Sequence, residues 1–94
     1  MNQIIAKMFS KLGMTKEQID ECFEYCPGLD VVDDMRVKDN LTLLTKYGFP
    51  KEDLGALIME NTNFLFSNPF DLEQKLISLG PDVEEKIKDN PYIL

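Results

Sequence analysis

The chain has 94 residues with five Gly and five Pro, enough material for one domain and no more. Ten Lys plus Arg stand against seventeen Asp plus Glu, a net charge of −7, and there is no His. The usual general base and the commonest metal ligand are therefore missing, which excludes most hydrolase and zinc-enzyme chemistry. An apolar share of 44% is ample for a core and excludes a disordered chain.

The first predicted element is a helix over residues 1–12, where Ile4, Ile5, Met8, Phe9 and Leu12 recur at helical spacing. Gly13 offers the left-handed position that ends it. Residues 1–6 are too short an apolar run for a secretory signal, and Lys7 and Lys11 follow. Three Lys and no acid in the first sixteen residues superficially suit an organelle transit peptide, but one Ser, no Arg and the apolar spacing fit a structural helix.

Thr15 starts the second helix: its hydroxyl can accept from the amide of Gln18 while the Gln18 side chain reaches back, with Glu17 in the favoured first turn. Ile19, Cys22, Phe23 and Cys26 form its inward stripe, and Pro27-Gly28 stops it. Cys22 and Cys26 lie one turn apart, poorly placed for a disulfide, with no third Cys and no His to complete a metal site. They read as two reduced, half-buried thiols, which points to the cytoplasm.

An apolar connector at 29–32 leads to a third helix capped by Asp33 or Asp34, with the stripe Val37, Leu41, Leu44 ending at Tyr47-Gly48. A fourth helix runs from about Pro50 to Asn61 through Leu54, Leu57 and Ile58. Ser67-Asn68-Pro69 is a cap followed by Pro at the first helical position, and it opens a fifth helix through Leu72, Leu76 and Leu79. Gly80-Pro81 breaks that helix, and Asp82 begins a short sixth through Val83 and Ile87, ended by Asn90-Pro91. No segment alternates with a period of two, so the fold class is all-α with about six helices. The longest uncharged stretch, residues 61–70, is half of what a membrane span needs, so no membrane partner is expected.

Sliding the chain against itself by 35 residues places Gly13 on Gly48, Thr15-Lys16-Glu17 on Pro50-Lys51-Glu52, Ile19 on Leu54, Cys22 on Leu57 and Phe23 on Ile58. The register continues through Leu29 on Phe64, Met35 on Phe70, Val37 on Leu72, Leu41 on Leu76 and Leu44 on Leu79. A third copy begins at Gly80, shortened by three residues, with Val83, Ile87 and Asn90-Pro91 in the places of Leu54, Ile58 and Asn61-Thr62. The single domain, 1–94, is thus expected to be a short α-solenoid of about two and a half helix-hairpin units, near 9–43, 44–79 and a truncated 80–94. A hairpin of this kind cannot cover its own apolar face and must stack on a neighbour.

The unit formed by Leu44, Gly48-Phe49, Glu52-Asp53-Leu54, Asn61, Phe64-Leu65, Leu72, Leu76 and Leu79 resembles the repeat of the mitochondrial transcription termination factor (mTERF) family. Cys26-Pro27-Gly28-Leu29 and Asn90-Pro91-Tyr92-Ile93-Leu94 match that family's Pro-x-Leu-Leu-like connector; Asn61-Thr62-Asn63-Phe64-Leu65 lacks its Pro. The resemblance spans most of the chain, from about Phe9 to Leu94. It implies a curved α-solenoid, nucleic-acid binding in gene expression, and no catalytic residues. Family members are typically longer and bind through basic side chains, whereas this chain has one Arg. Tyr47-Gly48-Phe49-Pro50 also resembles, locally, the Met-Gly-Phe turn of the ubiquitin-associated domain.

The repeat aligns Lys11 with Lys46 and Lys16 with Lys51, beside successive turns. On stacked helices about 8–10 Å apart these four could form a two-rung ladder contacting two or three phosphates, with Lys7 extending it. The alternative for each is an ordinary solvated Lys near a helix end. Phe64, Phe66 and Phe70 could stack on bases, but their apolar, non-aromatic repeat partners read as core. Asp33-Asp34 and Glu84-Glu85 read as helix starts. With no Gly-rich phosphate loop and no Ser or Cys nucleophile beside a base, no cofactor, metal, small-molecule substrate or enzymatic activity is expected. The rival to nucleic acid is an acidic protein-interaction module that takes a basic peptide or self-associates as a homodimer. The apolar end Tyr92, Ile93, Leu94 would be its docking patch, unless it folds back on the core.

Overall fold

In the computed structural model, which covers residues 1–94, six α-helices form: α1 Gln3–Lys11, α2 Lys16–Tyr25, α3 Asp34–Lys46, α4 Leu54–Glu60, α5 Pro69–Ser78 and α6 Val83–Asp89. No strand is present. The helix starts follow local side-chain chemistry. Asn2 caps α1, accepting from the amides of Ile4 and Ile5 at 3.0 and 3.1 Å. The Thr15–Gln18 capping box opens α2, with both reciprocal bonds in place at 3.2 and 2.9 Å. Of the two aspartates ahead of α3, Asp33 is the cap, accepting from the Met35 amide at 2.9 Å, and Asp34 is the first helical residue. Asn68 does the same for α5 ahead of Pro69.

The apolar connectors coil into short 3-10 segments at Pro27–Asp30, Thr62–Phe66 and Pro91–Ile93. Before each turn one residue swings to an extended φ, Cys26 at −132°, Asn61 at −149° and Asn90 at −147°. The Asn61 and Asn90 side chains then accept from the amide two residues on, at 3.1 and 3.2 Å, which starts the tight turn. Asn61 therefore does by hydrogen bonding what Pro27 does by its fixed φ, which accounts for a connector without Pro. The fourth helix also starts late. Pro50 is extended (ψ 132°), and Lys51–Asp53 makes a 3-10 turn before α4 begins at Leu54.

Gly13, Gly48 and Gly80 take φ of +90°, +100° and +74°, and no other residue has a positive φ. A Cβ at Gly13 or Gly48 would meet nothing within 4 Å, so a side chain there suffers from backbone strain alone. Gly48→Ala is accordingly expected to cost about 1–2 kcal/mol. A urea midpoint unchanged from the parent protein would contradict this.

The buried apolar side chains form one continuous core. Both members of each pair Ile19/Leu54, Cys22/Leu57, Phe23/Ile58, Leu29/Phe64, Val37/Leu72, Leu41/Leu76 and Leu44/Leu79 are buried, and Val83 and Ile87 join them. Met35 and Phe70 share a register position but are 57% and 67% exposed, so the core reading of Phe70 is corrected. Both lie in the first turn of a helix, on the side away from the packed stripe. Helix α3 packs against α1, α5 and the Thr62–Phe66 turn, and α2 packs against α1 and α4. Polar contacts tie α3 and α5 to the connector that follows each in the chain. The buried Asn40 of α3 donates from Nδ2 to the carbonyls of Phe64, Leu65 and Ser67 at 3.1, 3.1 and 2.9 Å. On α5, Lys75 donates to the Leu94 carbonyl at 2.9 Å, from the position 35 residues after Asn40.

Candidate nucleic-acid interface

Where α1 lies against α3, their outer sides border an open groove of about 900 Å³. Lys7 and Lys11 of α1 are four apart and so project from one helix face. Lys38 of α3 and Lys51 of the Lys51–Asp53 turn complete a set of four lysines lining the same groove. Met8, Leu12 and Leu41 supply its apolar wall. No carboxylate and no aromatic side chain lines it. In a chain of net charge −7 this is a local concentration of positive charge. None of the four lysines makes an ion pair, whereas Lys46 and Lys88 both do. Chemically, the groove offers mobile ammonium groups to an anion and nothing that could stack on a base.

Of the lysines singled out from the register, Lys11 and Lys51 line the groove, together with Lys7. Lys16, exposed at the first position of α2, and Lys46 lie outside it. Lys46 is turned toward α5, where its ammonium lies 3.0 Å from Glu73 and 5.4 Å from the Tyr47 ring centroid. The Tyr47 hydroxyl donates to the same Glu73 oxygen at 2.7 Å. Sequence reasoning missed Lys38, because the residue 35 positions on is Glu73 and the register shows no basic pair there. Its spacing to Leu41 and Thr42 was the available signal, since i, i+3 and i+4 share a helix face.

The Tyr47 and Lys46 hydrogen bonds hold the Glu73 carboxyl below its usual 4.5. The same bonds raise Lys46 and Tyr47 above their usual 10.5 and 10.0. A depressed carboxyl stabilises the fold above its unfolded-state value, and that contribution disappears as pH falls through the folded value. The raised groups contribute below their unfolded values and lose that contribution as pH rises through the folded ones. Wild type is therefore expected to be more stable than Glu73→Gln at neutral pH, with the difference shrinking on acidification through the carboxyl range. Urea titrations of both proteins across pH check this; a pH-independent difference would contradict it.

The remaining candidates fall into place. Phe64 and Leu65 are buried and cannot meet a base; Phe66 is half-buried. Tyr92 is 69% exposed, while Ile93 and Leu94 are half-buried and pack against the core, so two of the three C-terminal side chains are folded back. Cys22 and Cys26 are unpaired, the first buried with its thiol 3.5 Å from the Met59 sulfur. Burial raises both thiol pKa values, and for Cys22 the neighbouring Glu21 and Cys26 add to this, so neither is an activated nucleophile. No three Cys, Asp or Glu side chains gather where they could hold a metal ion. No helix is long and apolar enough to cross a membrane. Compared with models of protein families, with curated proteins and with solved structures, the chain matches none.

Proposed function

We propose that this chain is a non-catalytic helical-repeat binding module, a short α-solenoid similar to mTERF repeats, that associates weakly with nucleic acid through the α1–α3 groove. The observation that carries the reading is the gathering of Lys7, Lys11, Lys38 and Lys51 on one groove that no carboxylate lines. The repeat reading is supported by three bends that share a positive φ, by paired core positions, and by the matching reach of Asn40 and Lys75 to the next connector. A cytoplasmic setting is supported by the two unpaired cysteines.

Without aromatic platforms or a planar guanidinium in the groove, contact is with the phosphate backbone and carries little sequence preference. Up to four lysines acting on duplex give a slope of log affinity against log salt of about −3 to −4. The global negative charge opposes the same ligand, so affinity is confined to low ionic strength. The test is fluorescence anisotropy of labelled duplex and single-stranded oligonucleotides across a salt series. Changing Lys7, Lys11, Lys38 and Lys51 together to Ala is expected to abolish binding, while the pair Lys16→Ala and Lys46→Ala leaves it near the parent value. Binding that ignores the groove lysines, or none at low salt, overturns the reading.

A further inference from the structure

A second concavity, of opposite character, lies between α4 and α6. It is a socket of about 190 Å³ with Phe49, Ala56, Leu57, Ile87 and Pro91 as its apolar lining and Asp53, Glu60 and Lys88 also on its wall. A cavity of about 150 Å³ accepts a benzene ring, so this one has room for a single aromatic or branched aliphatic side chain. Lys88 also lines an adjoining cleft of about 530 Å³, where Asp82, Glu84, Glu85 and Asp89 gather. The two depressions therefore share a wall.

The only cation in either depression is already satisfied. The Lys88 ammonium lies 2.7 Å from Asp53 and 2.8 Å from Glu84, with the Phe49 ring centroid at 6.0 Å. Glu60 on the socket wall and Asp82, Glu85 and Asp89 on the adjoining cleft make no ion pair, so four uncompensated carboxylates lie in the two depressions that share Lys88.

We infer that this face is a docking site for a basic segment of a partner protein, which places one bulky apolar side chain in the α4–α6 socket and Lys or Arg beside the carboxylates. The charge pattern selects the occupant. A nucleic-acid phosphate is repelled here, and a neutral apolar peptide leaves the carboxylates without counter-charge. A second copy is a poor fit, because the unpaired lysines bordering its groove line a concavity themselves, and two concavities do not interlock. The division of labour resembles that of other peptide-binding grooves: the pocket anchors one side chain, and the charged rim sets register and on-rate. This inference is independent of the nucleic-acid reading, since the two sites share no lining residue.

The test uses the full chain and a labelled peptide with a central Phe between paired lysines, beside the same peptide with Ser in place of Phe. The Phe peptide is expected to bind about tenfold or more tightly than the Ser peptide. Ala56 is exposed, so Ala56→Trp plugs the socket with little cost to the fold and is expected to weaken the Phe peptide by a similar factor. Glu60→Lys with Glu85→Lys, on the surface, is expected to weaken both peptides and flatten their salt dependence. The Lys7, Lys11, Lys38 and Lys51 to Ala protein is expected to bind the Phe peptide as the parent does, which separates this site from the groove. Equal affinity for the two peptides, indifference to Ala56→Trp, or no binding at low salt overturns the proposal. So does sedimentation showing self-association that Ala56→Trp relieves, since the occupant would then be a second copy.

Discussion

Phe64→Ala is expected to bring the protein to the edge of unfolding at room temperature. Phe64 sits in the Thr62–Phe66 turn with no exposed surface, and that turn packs against α3. Truncating a fully buried Phe removes its transfer free energy and leaves a cavity that neighbours only partly fill, together costing about 3–5 kcal/mol. Against a total stability of about 5–15 kcal/mol for a domain of this kind, that loss is most of the margin at the lower end. The register partner Leu29 is equally buried, so the connectors are part of the core and not loops laid over it. Phe70→Ala is the control: one sequence neighbourhood away, but 67% exposed, it is expected to shift stability by about 0.5 kcal/mol or less. Urea unfolding followed by circular dichroism gives both values. Similar midpoints for the two variants would mean that Phe64 is not packed as described.

Asn40→Asp is expected to be nearly as damaging, and its damage is expected to depend on pH. The Asn40 amide nitrogen serves the carbonyls of Phe64, Leu65 and Ser67, and no water reaches the side chain. Three acceptors around one end fix the orientation of the amide, and its Oδ1 is left without a partner. An aspartate of the same shape has no donor when ionised, so it would set a buried charge against three carbonyl oxygens. Such an uncompensated charge costs about 3–5 kcal/mol. Burial and the carbonyl dipoles raise the folded-state pKa of that carboxyl above its unfolded value of about 3.9. A raised value means the variant keeps its stability below the unfolded pKa and loses it as pH rises through the folded one. The protonated acid can donate to one carbonyl, so Asn40→Asp is expected to recover in acid relative to the parent protein. Asn40→Leu abandons the same carbonyls, at about 1–3 kcal/mol for each one left unpaired, but adds no charge, so its cost is expected to be smaller than that of the ionised aspartate and flat with pH. An Asn40→Asp deficit independent of pH would remove Asn40 from this role.

Helix placement was legible because its determinants are local. A cap at Thr15, Asp33 or Asn68 acts over two or three residues, and a left-handed glycine acts at its own φ. Burial was legible at Leu41 and Leu76 for a related reason: a stripe at three- and four-residue spacing has one side to hide. Phe70 went astray because repeat alignment transfers a position, and the apolar Met35 it aligns with is itself exposed. The Cys26-Pro27, Asn61 and Asn90-Pro91 signals marked where each connector begins, but not that it coils into a 3-10 turn.

The candidate groove was half-legible. Lys7 and Lys11 are one turn apart on a single helix, so their shared face follows from spacing. Lys38 and Lys51 reach the same groove only because α3 and the Lys51–Asp53 turn fold beside α1. Lys46 leaves the expected ladder because Glu73, 27 residues away in the chain, lies within ion-pairing distance of it and within hydrogen-bonding distance of Tyr47.

The amino-acid sequence alone determined six helices, their bends and which stripe of each faces inward. Those features are set by torsions and side-chain chemistry within a turn or two of each residue. Tertiary structure decided which charges have neighbours: Lys46 paired with Glu73 and Lys88 with Asp53 from distant elements, four lysines left together on one groove, and four carboxylates left unpaired in the socket and the cleft beside it. Coulombic and hydrogen-bond partners depend on distance in space, and only the packing of one helix on another brings residues so far apart in the chain within a few ångströms.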